Sequence, residues 1–163
     1  MSHRYTEFVD SGSIADDVLL YRRVDWDKVG GPNKTPHGRE ARLNSNCFTD
    51  YPAAKAMELG FPGPCMSVGL STVLDELGLE PSAMLSGYPD YGLAVVRAGD
   101  LRALKKGNGE DGPQGIMRSP TDAEPWHCIV FDVIERPRKE ACKKAIARTA
   151  TWCIPLIGTG GLP

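Results

Sequence analysis

Arg42-Leu43-Asn44-Ser45-Asn46-Cys47-Phe48-Thr49-Asp50 is followed by a Pro/Gly-rich excursion and then by Cys65-Met66-Ser67-Val68-Gly69-Leu70. Two short apolar pieces, both carrying small hydroxyl or amide side chains, are thus brought together by a loop. Such side chains donate and accept hydrogen bonds at a pocket without filling it. The pattern predicts short strands over 43–48 and 66–70. Good helix formers over 51–59 predict a helix between them, ended by Gly60-Phe61-Pro62-Gly63-Pro64.

Working outward, β-branched and aromatic residues mark a strand over 18–24 upstream and another over 126–133 downstream. The apolar run 91–97 reads as a buried strand, and 115–118 as a short one. Ser71 is a candidate N-cap, with Leu74 and Leu77 at helical spacing behind it and Gly78 to end the helix. Short helices are expected over 81–86 and 100–106. A longer one, 138–152, pairs a modest apolar face with a basic face of Lys139, Lys143, Lys144 and Arg148. Short strands mixed with helices favour an α+β fold: a small mixed or antiparallel sheet with helices packed on it and a C-terminal helix.

A length of 163 residues fits one domain spanning 1–163, with a loose N-terminal arm over 1–16 and a flexible tail over 155–163. Hydrophobic residues at 41% and charged residues at 25% exclude wholesale disorder. A net charge of −2 excludes a global electrostatic pull on nucleic acid, though not a local basic face. No apolar run reaches the length of a membrane span, and the polar opening Met1-Ser2-His3-Arg4 lacks a signal-peptide core, so the expected setting is cytoplasmic, with no membrane partner. The five cysteines contain no Cys-x-x-Cys pair, so they read as free thiols rather than a zinc site.

His127 is the first candidate for chemistry. It opens an apolar strand face with Ile129, Phe131 and Val133, at the rim of a core where its pKa can be tuned for acid/base work. The bland alternative is a hydrogen-bonded core histidine. Arg22 and Arg23 are adjacent in a strand and must point to opposite faces, so one turns inward and grips a carboxylate or an anionic ligand. Arg42, Ser45, Asn46 and Ser67 are candidates for substrate binding; the alternative is that they bond their own backbone. Cys47 with His127 raises a thiol nucleophile, set against a buried inert thiol. The loop 30–39, with Lys34, His37 and Arg39, reads as a solvated loop or as a flap over a polyanion. No metal or cofactor is called for.

Leu20-Tyr21-Arg22-Arg23, Asn44-Ser45-Asn46-Cys47-Phe48, Met66-Ser67-Val68, Gly87-Tyr88-Pro89-Asp90-Tyr91-Gly92-Leu93 and Pro125-Trp126-His127 resemble a group of small uncharacterised bacterial proteins, a resemblance that implies no activity. More loosely, the first half is similar to the RES toxin domain, through Tyr21-Arg22 and the polar segment 42–45. That resemblance implies an ADP-ribosyltransferase-like fold that consumes NAD. The chain departs from the pattern at Arg42-Leu43-Asn44, where a Gly-Arg-Trp-Asn-type segment is expected, and Asp75 and Glu76 stand on a later helix. The leading expectation is a toxin-like enzyme acting on a nucleotide or an RNA phosphate, with Arg22 holding the anion and His127 as acid/base. The rival is a non-catalytic module that binds a partner protein.

Overall fold

The computed structural model describes residues 5–161. Its strands are β1 (Leu19–Asp25), β2 (Met66–Leu70), β3 (Tyr91–Arg97), β4 (Gln114–Arg118), β5 (His127–Asp132) and β6 (Thr151–Ile154). They form one sheet in the order β4-β5-β2-β1-β3-β6, antiparallel at every pairing. Among the described residues four α-helices lie between strands: α1 (Ala53–Glu58), α2 (Ser71–Glu76), α3 (Ala98–Arg102) and α4 (Glu140–Thr149). This is the expected α+β architecture. Among the described residues no helix is long and apolar enough to cross a membrane.

Alternation along the strands divides the core. On one face Leu20, Val68, Val96, Ile116 and Val130 pack with Ala145 and Ile146 of α4 and with Phe48. Each fully buried large side chain there contributes about 1.5–3 kcal/mol relative to exposure. The other face carries two smaller clusters, one around Phe61, Ile129 and Phe131 and one around Tyr21, Met84 and Leu93. Gly69 separates them: a Cβ there would stand 2.3 Å from the Met84 sulfur and 3.1 Å from Trp126 Cδ1. The bare backbone at Gly69 is what lets Met84 and Trp126 lie against the sheet.

Several expectations are corrected. Residues 45–48 form a 3₁₀ turn (Ser45–Phe48) instead of a strand, because the Asn44 side chain accepts from the Asn46 amide at 2.8 Å and draws the backbone into a cap. Ser71 is the first residue of α2 rather than its cap, and 81–85 is a 3₁₀ turn. α3 begins earlier than expected, at Ala98, and stops at Arg102. The last helix stops at Thr149. Ala150 is extended, and Thr151–Ile154 joins β3 as an edge strand, where its β-branched and aromatic side chains suit the pleat.

The described parts of the two chain ends are tied down rather than loose. The Ser11 amide donates to Ile116 O at 2.7 Å, Ile14 is buried, and Asp10 pairs with Arg102 at 2.8 Å. At the other end, Ala41 donates to Leu156 O, Gly158 to Arg39 O and Gly160 to Thr35 O, each at 2.8 Å. A Cβ at Gly158 would lie 2.3 Å from the Thr35 carbonyl oxygen, so the tail docks through backbone contact. The same bonds pin the 30–39 loop, whose Lys34, His37 and Arg39 do not line the cavities at His127.

Candidate functional site

The β1–β2 ladder holds Leu20 to Leu70 and Tyr21 to Gly69 and then stops, while β1 stays paired to β3 along its whole length. Beyond Tyr21 the two central strands therefore part. The opening is a cleft of about 240 Å³. Arg22 fills its root. The guanidinium donates from Nε to Cys47 O at 3.1 Å, from Nη1 to Ser67 O at 2.9 Å and from Nη2 to Thr49 O at 3.2 Å. Ser67 O is a strand carbonyl that the parted β1 no longer reaches, so the side chain stands in for the missing ladder. Three of the five guanidinium N–H groups are used, and all of those go to carbonyls. Burial lowers the Arg22 pKa, since a charged group loses hydration there.

Arg23 turns to the opposite face, as adjacent strand residues must. It donates to Met84 O and pairs with Glu124, both at 2.5 Å, and it lies 4.1 Å over the Tyr88 ring. Tyr21, Tyr51, Tyr91 and Trp126 complete an aromatic wall. The Trp126 indole nitrogen is buried and has no hydrogen-bond partner among the described residues.

His127 faces Ser67 diagonally across the β2–β5 ladder. Its Nε2 is 2.7 Å from Ser67 Oγ, and its Nδ1 is 2.7 Å from Ser119 Oγ and 3.2 Å from Ser119 O. A carbonyl oxygen only accepts, so the proton belongs on Nδ1. That leaves Nε2 as an acceptor for the Ser67 hydroxyl. Burial lowers the His127 pKa, with the Glu124 carboxylate pulling the other way, so the neutral ring is favoured. A hydroxyl, a neutral imidazole and a group orienting that imidazole make a proton-transfer unit.

His127 also borders a second cavity of about 440 Å³. Its wall includes Tyr5, Phe61, Ser119 and Asp122. The rings of Tyr5 and Phe61 lie within 14° of parallel, and those of Phe61 and His127 within 15°. Tyr51 and Glu124 border both cavities.

Of the residues singled out from sequence, the fold joins the side chains of Ser67 and His127, while Arg22 lines the same cleft from the opposite face of the sheet and meets the Ser67 carbonyl. Arg42 and Ser45 line a separate groove beside α4, and Asn46 is an exposed turn residue whose carbonyl accepts from Thr49 Oγ1 at 2.9 Å. Cys47 borders the cleft, but its sulfur contacts Asn44 Oδ1 at 3.9 Å and burial pushes its thiol pKa up. Both features disfavour a thiolate paired with His127. Ser119, Glu124, Tyr88 and Trp126 were missed. Ser119 was within reach: the hairpin register that sets Arg118 opposite Cys128 puts Ser119 beside His127. Glu124 carried no signal, because its role depends on a loop folding back to Arg23, 101 residues earlier in the chain.

Under this floor lies a buried polar network. Arg138 binds Asp50, Gln114 Oε1 at 2.8 Å and Val130 O at 3.2 Å. Gln114 in turn donates to Asp132 at 3.1 Å. Burial raises the Asp132 pKa, but the Glu135, Gln114 and Ile134 N–H donors outweigh it, and the net shift is downward. Among the described residues no group of three or more His, Cys, Asp or Glu side chains is placed to hold a metal ion.

Comparison of the chain with protein-family models, curated proteins and solved structures finds no match.

Proposed function

We propose that this chain is an enzyme acting on a phosphate-bearing nucleotide, at the cleft where β1 and β2 part. The observation that carries the reading is the meeting of three groups at Ser67. Its carbonyl receives the Arg22 guanidinium, its hydroxyl is held by His127 Nε2, and His127 is itself oriented by Ser119. Among the described residues Arg22 has no hydrogen bond to a carboxylate, and an anion at the cleft would be favoured there. The tyrosines and Trp126 offer flat faces for a base, and the unmet indole N–H is the kind of buried donor retained at functional sites.

In this reading the two remaining Arg22 N–H groups hold a phosphate. His127 takes a proton at Nε2 from an attacking hydroxyl, that of Ser67 or of the substrate, and returns it to the leaving oxygen. Positioned acid/base catalysis of this kind contributes about 10²–10⁴-fold. The loose likeness to the RES toxin domain points to an NAD-like nucleotide as one member of this class.

The test is a thermal-shift panel of NAD, mononucleotides and short RNA, followed by turnover of whichever ligand binds, with His127→Asn and Ser67→Ala alongside. A ligand at a hundred times its Kd adds about 2.7 kcal/mol to stability. A shift with one nucleotide class, and turnover lost in His127→Asn while the variant stays folded, supports the enzyme. No shift with any nucleotide refutes it and favours the protein-binding module.

A further inference from the structure

The groove that took Arg42 and Ser45 out of the cleft has a character of its own. It encloses about 510 Å³ between the 42–45 segment and one face of α4. Arg42, Lys144 and Arg148 border it, with Leu43, Asn44, Ser45 and Ala147, and no carboxylate is among them. All three cations are exposed, and none makes a salt bridge among the described residues. In a chain of net charge −2, three such cations around one groove form a local positive field with no ion-pair partner among the described residues.

The groove adjoins the nucleotide cleft. The Asn44–Cys47 turn is a wall of both: Asn44 and Ser45 face the groove, and Cys47 faces the cleft. Asn44 Nδ2 also donates to the carbonyl of Lys28, which borders the cleft, at 3.1 Å. Lys144 and Arg148 are one helical turn apart, about 6 Å along the axis. That separation is comparable with the spacing of neighbouring phosphates along an extended strand.

We infer that the Arg42–Lys144–Arg148 groove binds the flanking phosphates of a single-stranded polynucleotide whose reacting phosphate lies in the Arg22 cleft. The inference rests on the nucleotide reading of the cleft and narrows it, from nucleotides in general to a polynucleotide substrate. Four neutralised phosphates, three in the groove and one at Arg22, give a log Kd against log salt slope with a magnitude of about 3 for a single strand, a loss of roughly 50-fold in affinity between 50 and 200 mM salt.

The experiment is fluorescence anisotropy with a labelled 12-nucleotide RNA across that salt range, on the wild type and on Lys144→Glu/Arg148→Glu. Both side chains are exposed, so the double variant is expected to fold, and circular dichroism checks that it does. A thermal-shift titration with AMP reports the cleft separately. Support is RNA binding with the stated slope, a loss of tenfold or more in the double variant, and an unchanged AMP shift. RNA binding no tighter than AMP, or unaffected by the double variant, overturns the groove and leaves the cleft reading standing. Equal binding of polyglutamate or of vesicles with anionic lipid overturns the polynucleotide assignment. RNA held by the groove with no AMP shift, and with no effect of His127→Asn on RNA turnover, instead removes the cleft reading on which the inference rests.

Discussion

Replacing Asp50 by Asn should cost this protein a large part of its stability, because of where the Arg138 charge is left. The Arg138 side chain is 0% exposed and that of Asp50 4%. Asp50 binds the guanidinium through one oxygen and accepts the Arg138 main-chain N–H through the other at 2.8 Å. Gln114 and the Val130 carbonyl also accept from the guanidinium, but both are neutral, so Asp50 is the only carboxylate bonded to it among the described residues. Asn keeps the volume and one acceptor and removes the charge. Breaking a buried ion pair from one side costs about 3–5 kcal/mol, mostly as the penalty of the stranded partner. For a chain of this size that lowers Tm by roughly 6–20 °C at about 2–4 °C per kcal/mol. Urea unfolding measures it directly. A loss below about 1 kcal/mol would refute the reasoning, since Arg138 would then be hydrated or otherwise neutralised. The effect should reach the site as well: Thr49, one residue before Asp50, supplies a carbonyl to Arg22.

Three further outcomes are expected. Because burial lowers the folded His127 pKa, the unfolded chain binds the extra proton first as pH falls. The stability contribution of neutral His127 is therefore complete above the unfolded value of about 6.5 and is lost as pH drops from there toward the folded value. Urea midpoints of wild type and His127→Asn should thus converge on acidification, and parallel curves would contradict this. Of the five cysteines only Cys153 is exposed, while burial pushes Cys65 and Cys128 up to about 12, so a thiol reagent should label one cysteine quickly in native protein and all five in denaturant. Gly158→Ala should undock the tail from the 35–39 loop at a cost of about 1–3 kcal/mol, read as faster hydrogen exchange at His37 and Gly160, and unchanged exchange would show that the tail is not held by that contact.

A continuous apolar run was enough to find β3, β-branched and aromatic content to find β5, and period-two alternation to separate the faces of Arg22 and Arg23. The turn 45–48 and the strand β6 were misread for opposite reasons. At 45–48 a local Asn44 cap overrode apolar content. At 151–154 a helical pattern continued in the letters, but the exposed edge of β3 supplied a better partner. Within the site, His127 was legible as a residue at the rim of the core and Ser67 as a candidate binding hydroxyl, but not that their strands are neighbours. The parting of β1 from β2 was not, because it depends on Arg22 replacing ladder bonds with bonds to three carbonyls. Arg42 and Ser45 looked like site residues because they belong to a polar segment brought toward Ser67 by a loop, and a single 3₁₀ turn was enough to place them in a separate groove.

The central claim is that His127 presents an unprotonated Nε2 to Ser67 at a nucleotide-binding cleft. Long-range nitrogen-15 NMR of the His127 ring, recorded with and without a saturating nucleotide, tests it most directly. A proton is expected on Nδ1 and none on Nε2 in the free protein, with a clear shift of the Nε2 signal when nucleotide binds. A proton on Nε2, or a ring unmoved by a nucleotide that binds elsewhere, would make His127 a structural residue and contradict the account.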